Sequence, residues 1–261
     1  MQQAPSRRPP RGCAGCEDER QYVGYDGQLW TTLSGLGEEG FGNEIRTLEE
    51  DLYGIRSQPQ FAIGQRSLLV RTRAGNLLWD PVSLVDAETV SRVRELGGVQ
   101  AISASHPHFY ASMVEWSRSF DGAPIHLPAA DREWVLRPDP AVHQYDDRLE
   151  VLGLALIRCG GHFEGSAVAH WPAGAGGRGV LLTGDTVMVV QDRRWVSFMR
   201  SYPNLIPISA AVVRGIVDRL EPLSFDRIYG NPGWEKVIES GAKAALRRSA
   251  ERYVERLQTA G

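Results

Sequence analysis

The stretch "ISASHPHFYASMVEW", residues 102–116, decides how the rest of the chain is read. It follows "VQA", so an apolar run of strand character leads straight into two histidines, His106 and His108, with Pro107 between them. The chain has only six histidines, and two of them stand here. An amphipathic segment from about Ala111 predicts a helix, so the pair lies on a loop at the C-terminal end of a strand, where α/β proteins commonly place their ligands. Alternate residues of an extended segment share a face, which would turn both imidazoles toward one point. Pro107 restricts the backbone and biases His106 away from helix.

The same order of apolar run and polar loop recurs outward from this stretch. Upstream, the runs around Leu68–Val70 and Leu77–Trp79 flank "RAGN" and predict a hairpin, and "VSLVDAETVSRVRELGG" predicts a helix ending in a glycine pair. Downstream, "APIHLPA" predicts a strand and "DREWVL" a short helix. The segment "RLEVLGLALIRCGGHFEGSAVAHWP" predicts two strands flanking a loop that holds His162. Next, "GVLLTGDT" runs from a strand into Asp185, and "FDRIYGNPGWE" from a strand into a turn at Asn231. Helices are expected over "ISAAVVRGIVDRLEPL" and over the terminal "KAALRRSAERYVERLQ". If these strands lie side by side, His106, His108, His162 and Asp185 converge on one rim. Three imidazoles and a carboxylate make a ligand set for a divalent metal, zinc first and iron or manganese behind it. His126, His143 and His170 read as ordinary surface, edge or core histidines.

These motifs resemble those of the metallo-β-lactamase superfamily. "HPHFYA" matches the first two histidines of its His-x-His-x-Asp-His motif, "GGHFEGS" its next histidine loop, and "LLTGDT" its aspartate. The resemblance runs from about Phe61 to the terminal helix and implies an α/β fold of four layers, an αββα sandwich. It also implies a metal site of His106, His108 and His162 with Asp185 as fourth ligand or water anchor. Where the family has its Asp-His pair this chain has Tyr110 and Ala111, and where the family has its last histidine it has Asn231. The second metal site is therefore expected to be lost and one ion to remain, activating a water to hydrolyse an ester, thioester, lactone or similar bond. Tyr110 either donates to a developing oxyanion or packs over the site. Asn231 either touches substrate or shapes the Asn-Pro turn. Asp185, Tyr110 and Asn231 are thus the candidate catalytic residues. Glu164 reads as a proton shuttle or a solvated loop carboxylate, and Cys159 as a small buried hydrophobe rather than a ligand.

Two functional readings follow. One is a mononuclear metallo-hydrolase; the other is a non-catalytic module that binds a metal or a small molecule, with Phe109, Tyr110, Trp116 and Trp234 suited to an apolar pocket. Composition adds limits. A net charge of −3 offers no field for nucleic acid or anionic membrane, and beyond Arg247-Arg248 and the first residues no basic face is concentrated. The expected partner is a small-molecule substrate. No apolar run approaches the ~18 residues of a membrane helix. "MQQAPSRRPPRG" has charge without a following apolar stretch, so it reads as a mobile tail rather than a secretory signal, and a cytoplasmic location is expected. Three cysteines make no disulfide framework. Cys13-x-x-Cys16 supplies half a zinc site or a pair of free thiols. Residues 1–60 are expected to form a tail and an extension packed on a core domain of residues 61–261.

Overall fold

The computed structural model describes residues 8–259, so most of the tail expected at the N-terminus lies outside the described residues. Two short helices, α1 (Ala14–Glu17) and α2 (Leu33–Glu38), precede a seven-stranded sheet. Its strands follow chain order: β1 (Gly42–Glu49), β2 (Leu52–Gln58), β3 (Ser67–Thr72), β4 (Gly75–Trp79), β5 (Ala101–Ser103), β6 (Ile125–Pro128) and β7 (Val142–Tyr145). The first four pair antiparallel and the last three add in parallel. The connection between β4 and β5 carries α3 (Ala87–Glu95), capped by Asp86, whose carboxylate accepts the Thr89 N–H at 2.8 Å. Helix α4 (Met113–Ser119) lies between β5 and β6.

The second sheet begins with β8 (Arg148–Val151), β9 (Leu154–Arg158) and β10 (Ala167–Trp171). After a single turn, α5 (Gly174–Gly177), comes β11 (Val180–Gly184). Two small ribbons follow, β12 (Met188–Val189) with β13 (Val196–Ser197), and β14 (Met199–Ser201) with β15 (Ile206–Pro207). Helix α6 (Ala210–Leu220) then leads to β16 (Arg227–Gly230), parallel to β11, and β17 (Val237–Ile238) completes the sheet before α7 (Ala242–Thr259). No helix among the described residues is long and apolar enough to cross a membrane.

Side-chain alternation builds the layers. Leu68, Val70, Leu77 and Trp79 meet Leu154, Leu156, Val180 and Leu182 between the two sheets. The intervening Leu69 and Leu78 face Val90, Val93 and Trp116 of the first helical layer. On the far side, Leu181 and Ile157 face Val213, Ile216 and Leu246. The result is the expected αββα sandwich. Both faces of each central strand are buried, which is why these strands read as continuous apolar runs.

Several elements differ from expectation. The sheet starts at Gly42, ahead of the boundary drawn at residue 61, because β2 is hydrogen-bonded to β3. β1 is a half-exposed edge strand whose "NEIRTLE" carries little apolar alternation. The run 148–158, read as one strand, is a hairpin turning at Leu152-Gly153, both at positive φ. Leucine rarely marks such a turn, so the break is hidden in the sequence. Helix α4 begins at Met113, since Pro107–Phe109 forms a separate 3₁₀ turn.

Candidate metal centre

His106 leaves β5 in extended conformation, at φ −170° and ψ 170°, and His108 sits inside the 3₁₀ turn that Pro107 opens. The pair is therefore brought together by a turn, not by alternation along a strand. His106 Nε2 faces His108 Nδ1 at 3.2 Å. His162, from the loop between β9 and β10, and Asp185, just past β11, close the group: one donor atom from each of the four residues lies within 4.8 Å of the others. His106 Nε2 stands 3.6 Å from Asp185 Oδ2.

The surroundings fix which nitrogens point inward. The Nδ1–H of His162 donates to the Arg200 carbonyl at 2.8 Å, so its Nε2 presents a lone pair. That Nε2 is buried and has no hydrogen-bond partner. His106 Nδ1 lies 2.9 Å from Ser105 Oγ, an arrangement that frees Nε2 when the hydroxyl accepts. Ser105 is itself held by its N–H, which donates to Asp80 Oδ1 at 2.6 Å. Burial pushes His162 down to about 4 and His106 and His108 well below the usual imidazole range. Burial, then the charge of Asp80, raises Asp185 to about 7, partly opposed by Lys236. The unpartnered Nε2 of His162, the paired nitrogens of His106 and His108 and the Asp185 carboxylate all face one point, and a cation there would take a lone pair from each. The residues fit a divalent metal.

The remaining candidates have other partners. Tyr110 is buried, with its hydroxyl 3.4 Å from Asp131 Oδ2. Asp131 also accepts the Gly165 N–H at 2.7 Å, so this pair buttresses the loop that carries His162. The Asn231 side chain is committed to the backbone of buried Arg66: Oδ1 accepts its N–H at 3.1 Å and Nδ2 donates to its carbonyl at 2.8 Å. Replacing Asn231 with alanine strands both groups, and urea unfolding should show a loss of about 2–3 kcal/mol while metal content is retained. Glu164 is exposed and lies 3.5 Å from Arg20 and 3.9 Å from Arg200. Cys159 packs in the core, its thiol facing the Ile157 carbonyl.

Besides Ser105, Asp80 and Arg200, sequence reasoning missed three further contributors. Phe163 is buried, and its ring contacts all three imidazoles at centroid distances of 4.9–5.9 Å. Tyr202 donates its hydroxyl to the Asp185 carbonyl at 2.9 Å. Arg20 reaches the His162 carbonyl from 142 residues away. Of these three, Phe163, next to His162, carried a local signal.

Fold and site together define a protein of the metallo-β-lactamase fold with a group of residues suited to a divalent metal. Solved structures of that fold agree. The metallo-β-lactamase from Pontibacter korlensis superposes with a TM-score of 0.58 at 16% identity, over 84% of this chain and 100% of that one. A B3 metallo-β-lactamase with an active-site glutamic acid gives 0.54 at 21% identity, over 80% and 88%. No family model matches the sequence. The "Uncharacterized protein YmaE" of Bacillus subtilis (strain 168) is 45% identical over 262 residues, spanning 99% of this chain and 94% of its own, and the chain belongs to the same family as that protein.

Proposed function

We propose that the protein is a mononuclear metal-dependent hydrolase, with zinc as the first choice of ion and an ester, thioester, lactone or related small-molecule bond as its target. The observation that carries this reading is the convergence of His106, His108, His162 and Asp185 around a buried, unpartnered His162 Nε2. When bound, such an ion acts as a Lewis acid and brings the pKa of water from about 15.7 towards about 7. The chain's own residues set the geometry: Arg200 and Ser105 orient two of the imidazoles, and Asp185 supplies the negative charge and can hold a proton near neutrality. Phe163 keeps the ligand rings dry on one side.

The second reading, a binding module without turnover, is favoured by the commitment of Tyr110 to Asp131 and of Asn231 to Arg66, which leaves neither side chain free for a substrate. A panel of esters, thioesters and lactones assayed with zinc-loaded protein separates the two. Turnover that falls by at least about 10³ in His106→Ala supports the hydrolase. Zinc-loaded protein inert across the panel supports the module.

A further inference from the structure

We propose that Cys13 and Cys16 form a reversible disulfide that locks the first turn of an N-terminal strap, residues 13–20, which lies against the His162 loop of the metal centre. The two sulfurs sit side by side, 2.7 Å apart, with Cys13 buried and Cys16 half-buried. Their turn is tied: the Cys16 N–H donates to Cys13 Sγ at 3.3 Å and the Cys13 N–H to Glu17 Oε1 at 3.0 Å. Neither cysteine belongs to a group of three or more metal donors among the described residues. Two thiols without further ligands make a poor zinc site but a complete disulfide.

The strap continues directly onto the candidate centre. Asp18 grips Arg20 with both carboxylate oxygens, at 2.6 and 2.8 Å. The Arg20 guanidinium lies 3.7 Å over the Phe163 ring and donates to the His162 carbonyl at 3.2 Å. The Glu19 carbonyl accepts from Ser201 Oγ and Asn204 Nδ2, both at 2.6 Å, and its carboxylate takes the Arg200 Nε–H at 2.7 Å. Arg200 is the residue whose carbonyl orients His162. The strap thus holds the His162 loop from two sides.

The chemistry is thiol–disulfide exchange with a small-molecule disulfide as oxidant. The thiolate of the more exposed Cys16 attacks the oxidant, whose S–S bond breaks to release one thiol. The Cys13 thiolate then displaces the second thiol and forms the protein S–S bond. Two electrons pass to the oxidant, and the two cysteine protons end on its thiols. Burial, with the neighbouring Cys13, pushes the Cys16 thiol up to about 11, so the pair attacks slowly at neutral pH. A thiol of that kind is also a poor leaving group, which makes the closed bond resistant to reduction. A disulfide favours conformations that hold the sulfurs adjacent, as the docked strap does, so oxidation and docking reinforce each other.

The test uses the full chain in oxidised glutathione and, separately, in dithiothreitol, followed by alkylation in denaturant and intact mass. Three labels are expected in the reduced protein and one, on Cys159, in the oxidised. Native trypsin cleavage after Arg20, which is 3% exposed in the docked strap, should be about tenfold slower in the oxidised form, because closing the 13–16 turn removes conformations open to the undocked strap. Cys16→Ser should be cut at one rate in both buffers. Three labels in both buffers, a glutathione adduct that never resolves, or equal cleavage of oxidised and reduced wild type would each overturn the proposal. Neither readout needs a bound metal, so its failure is distinct from failure of the metal reading.

Discussion

Replacing His106 and His162 together by alanine is expected to abolish metal uptake. Plasma mass spectrometry should find about one equivalent of zinc or iron in wild type and less than about a tenth of one in the variant, with the fold kept. The two imidazoles supply half of the converging donors, and each is oriented by a hydrogen bond, to Ser105 or to the Arg200 carbonyl. Affinity should also depend on pH in a set direction. In the metal-free protein Asp185 sits at about 7, raised from 3.8 mainly by burial, so below pH 7 an incoming ion must expel its proton. Affinity should rise about tenfold per pH unit from 5 to 7 and then level off. The imidazoles add little in that window, since His162 sits at about 4 and the other two lie well below 6.5. The same shifts fix the stability of the metal-free form. Asp185, raised, favours folding at low pH, and that contribution is lost as pH climbs through 7; His162, lowered, favours folding above 6.5, and its contribution is lost as pH falls through 4. Titration of the apo protein with zinc at pH 5, 6, 7 and 8 measures the slope; a flat profile would show that Asp185 does not give up a proton to the metal.

The second large effect is expected at Gly184, the last residue of β11. It stands at φ +52°, and a Cβ there would lie 2.0 Å from Ser105 Oγ and 2.4 Å from Ser105 Cβ. Glycine is what lets the end of one sheet press against the residue that orients His106 in the other. Gly184→Ala combines a positive-φ penalty with overpacking, together about 2–4 kcal/mol. For a chain of this size that corresponds to a fall in melting temperature of roughly 5–12 °C. Because the intrusion falls on Ser105, zinc content should drop as well. Ser105→Gly in the Gly184→Ala background should recover much of the melting temperature by removing the obstructing side chain. If it recovers none, contact with Ser105 is not the cause.

How much of this was written in the chain depends on how local the signal is. The buried strands announce themselves because both faces are apolar, as in "SLLV" and "GVLLTG", and the three histidines and Asp185 follow such strands by a few residues. Their convergence was legible from order alone. β1 was not, because an edge strand with one wet face needs few apolar residues, and the β8–β9 turn was not, because leucine occupies its positive-φ position. The partners of Tyr110 and Asn231, namely Asp131 and Arg66, are distant in sequence and no motif points to them. Arg20 is the extreme case: an arginine far in sequence from the site acquires its place only when the chain closes back on itself.

The donors of the candidate centre are divided between the sheets. His106 and His108 leave the first; His162 and Asp185 leave the second. Each sheet is also a contiguous part of the sequence, residues 42–145 and then 148–238. An ion there would therefore be a cross-link between two sheets, each contiguous in the chain, adding its binding free energy to the apolar contact between them. At a thousandfold excess over the dissociation constant that is about 4 kcal/mol, a large fraction of what keeps an ordinary domain folded. Metal supply would then govern how long the protein persists in a cell as much as what it does there.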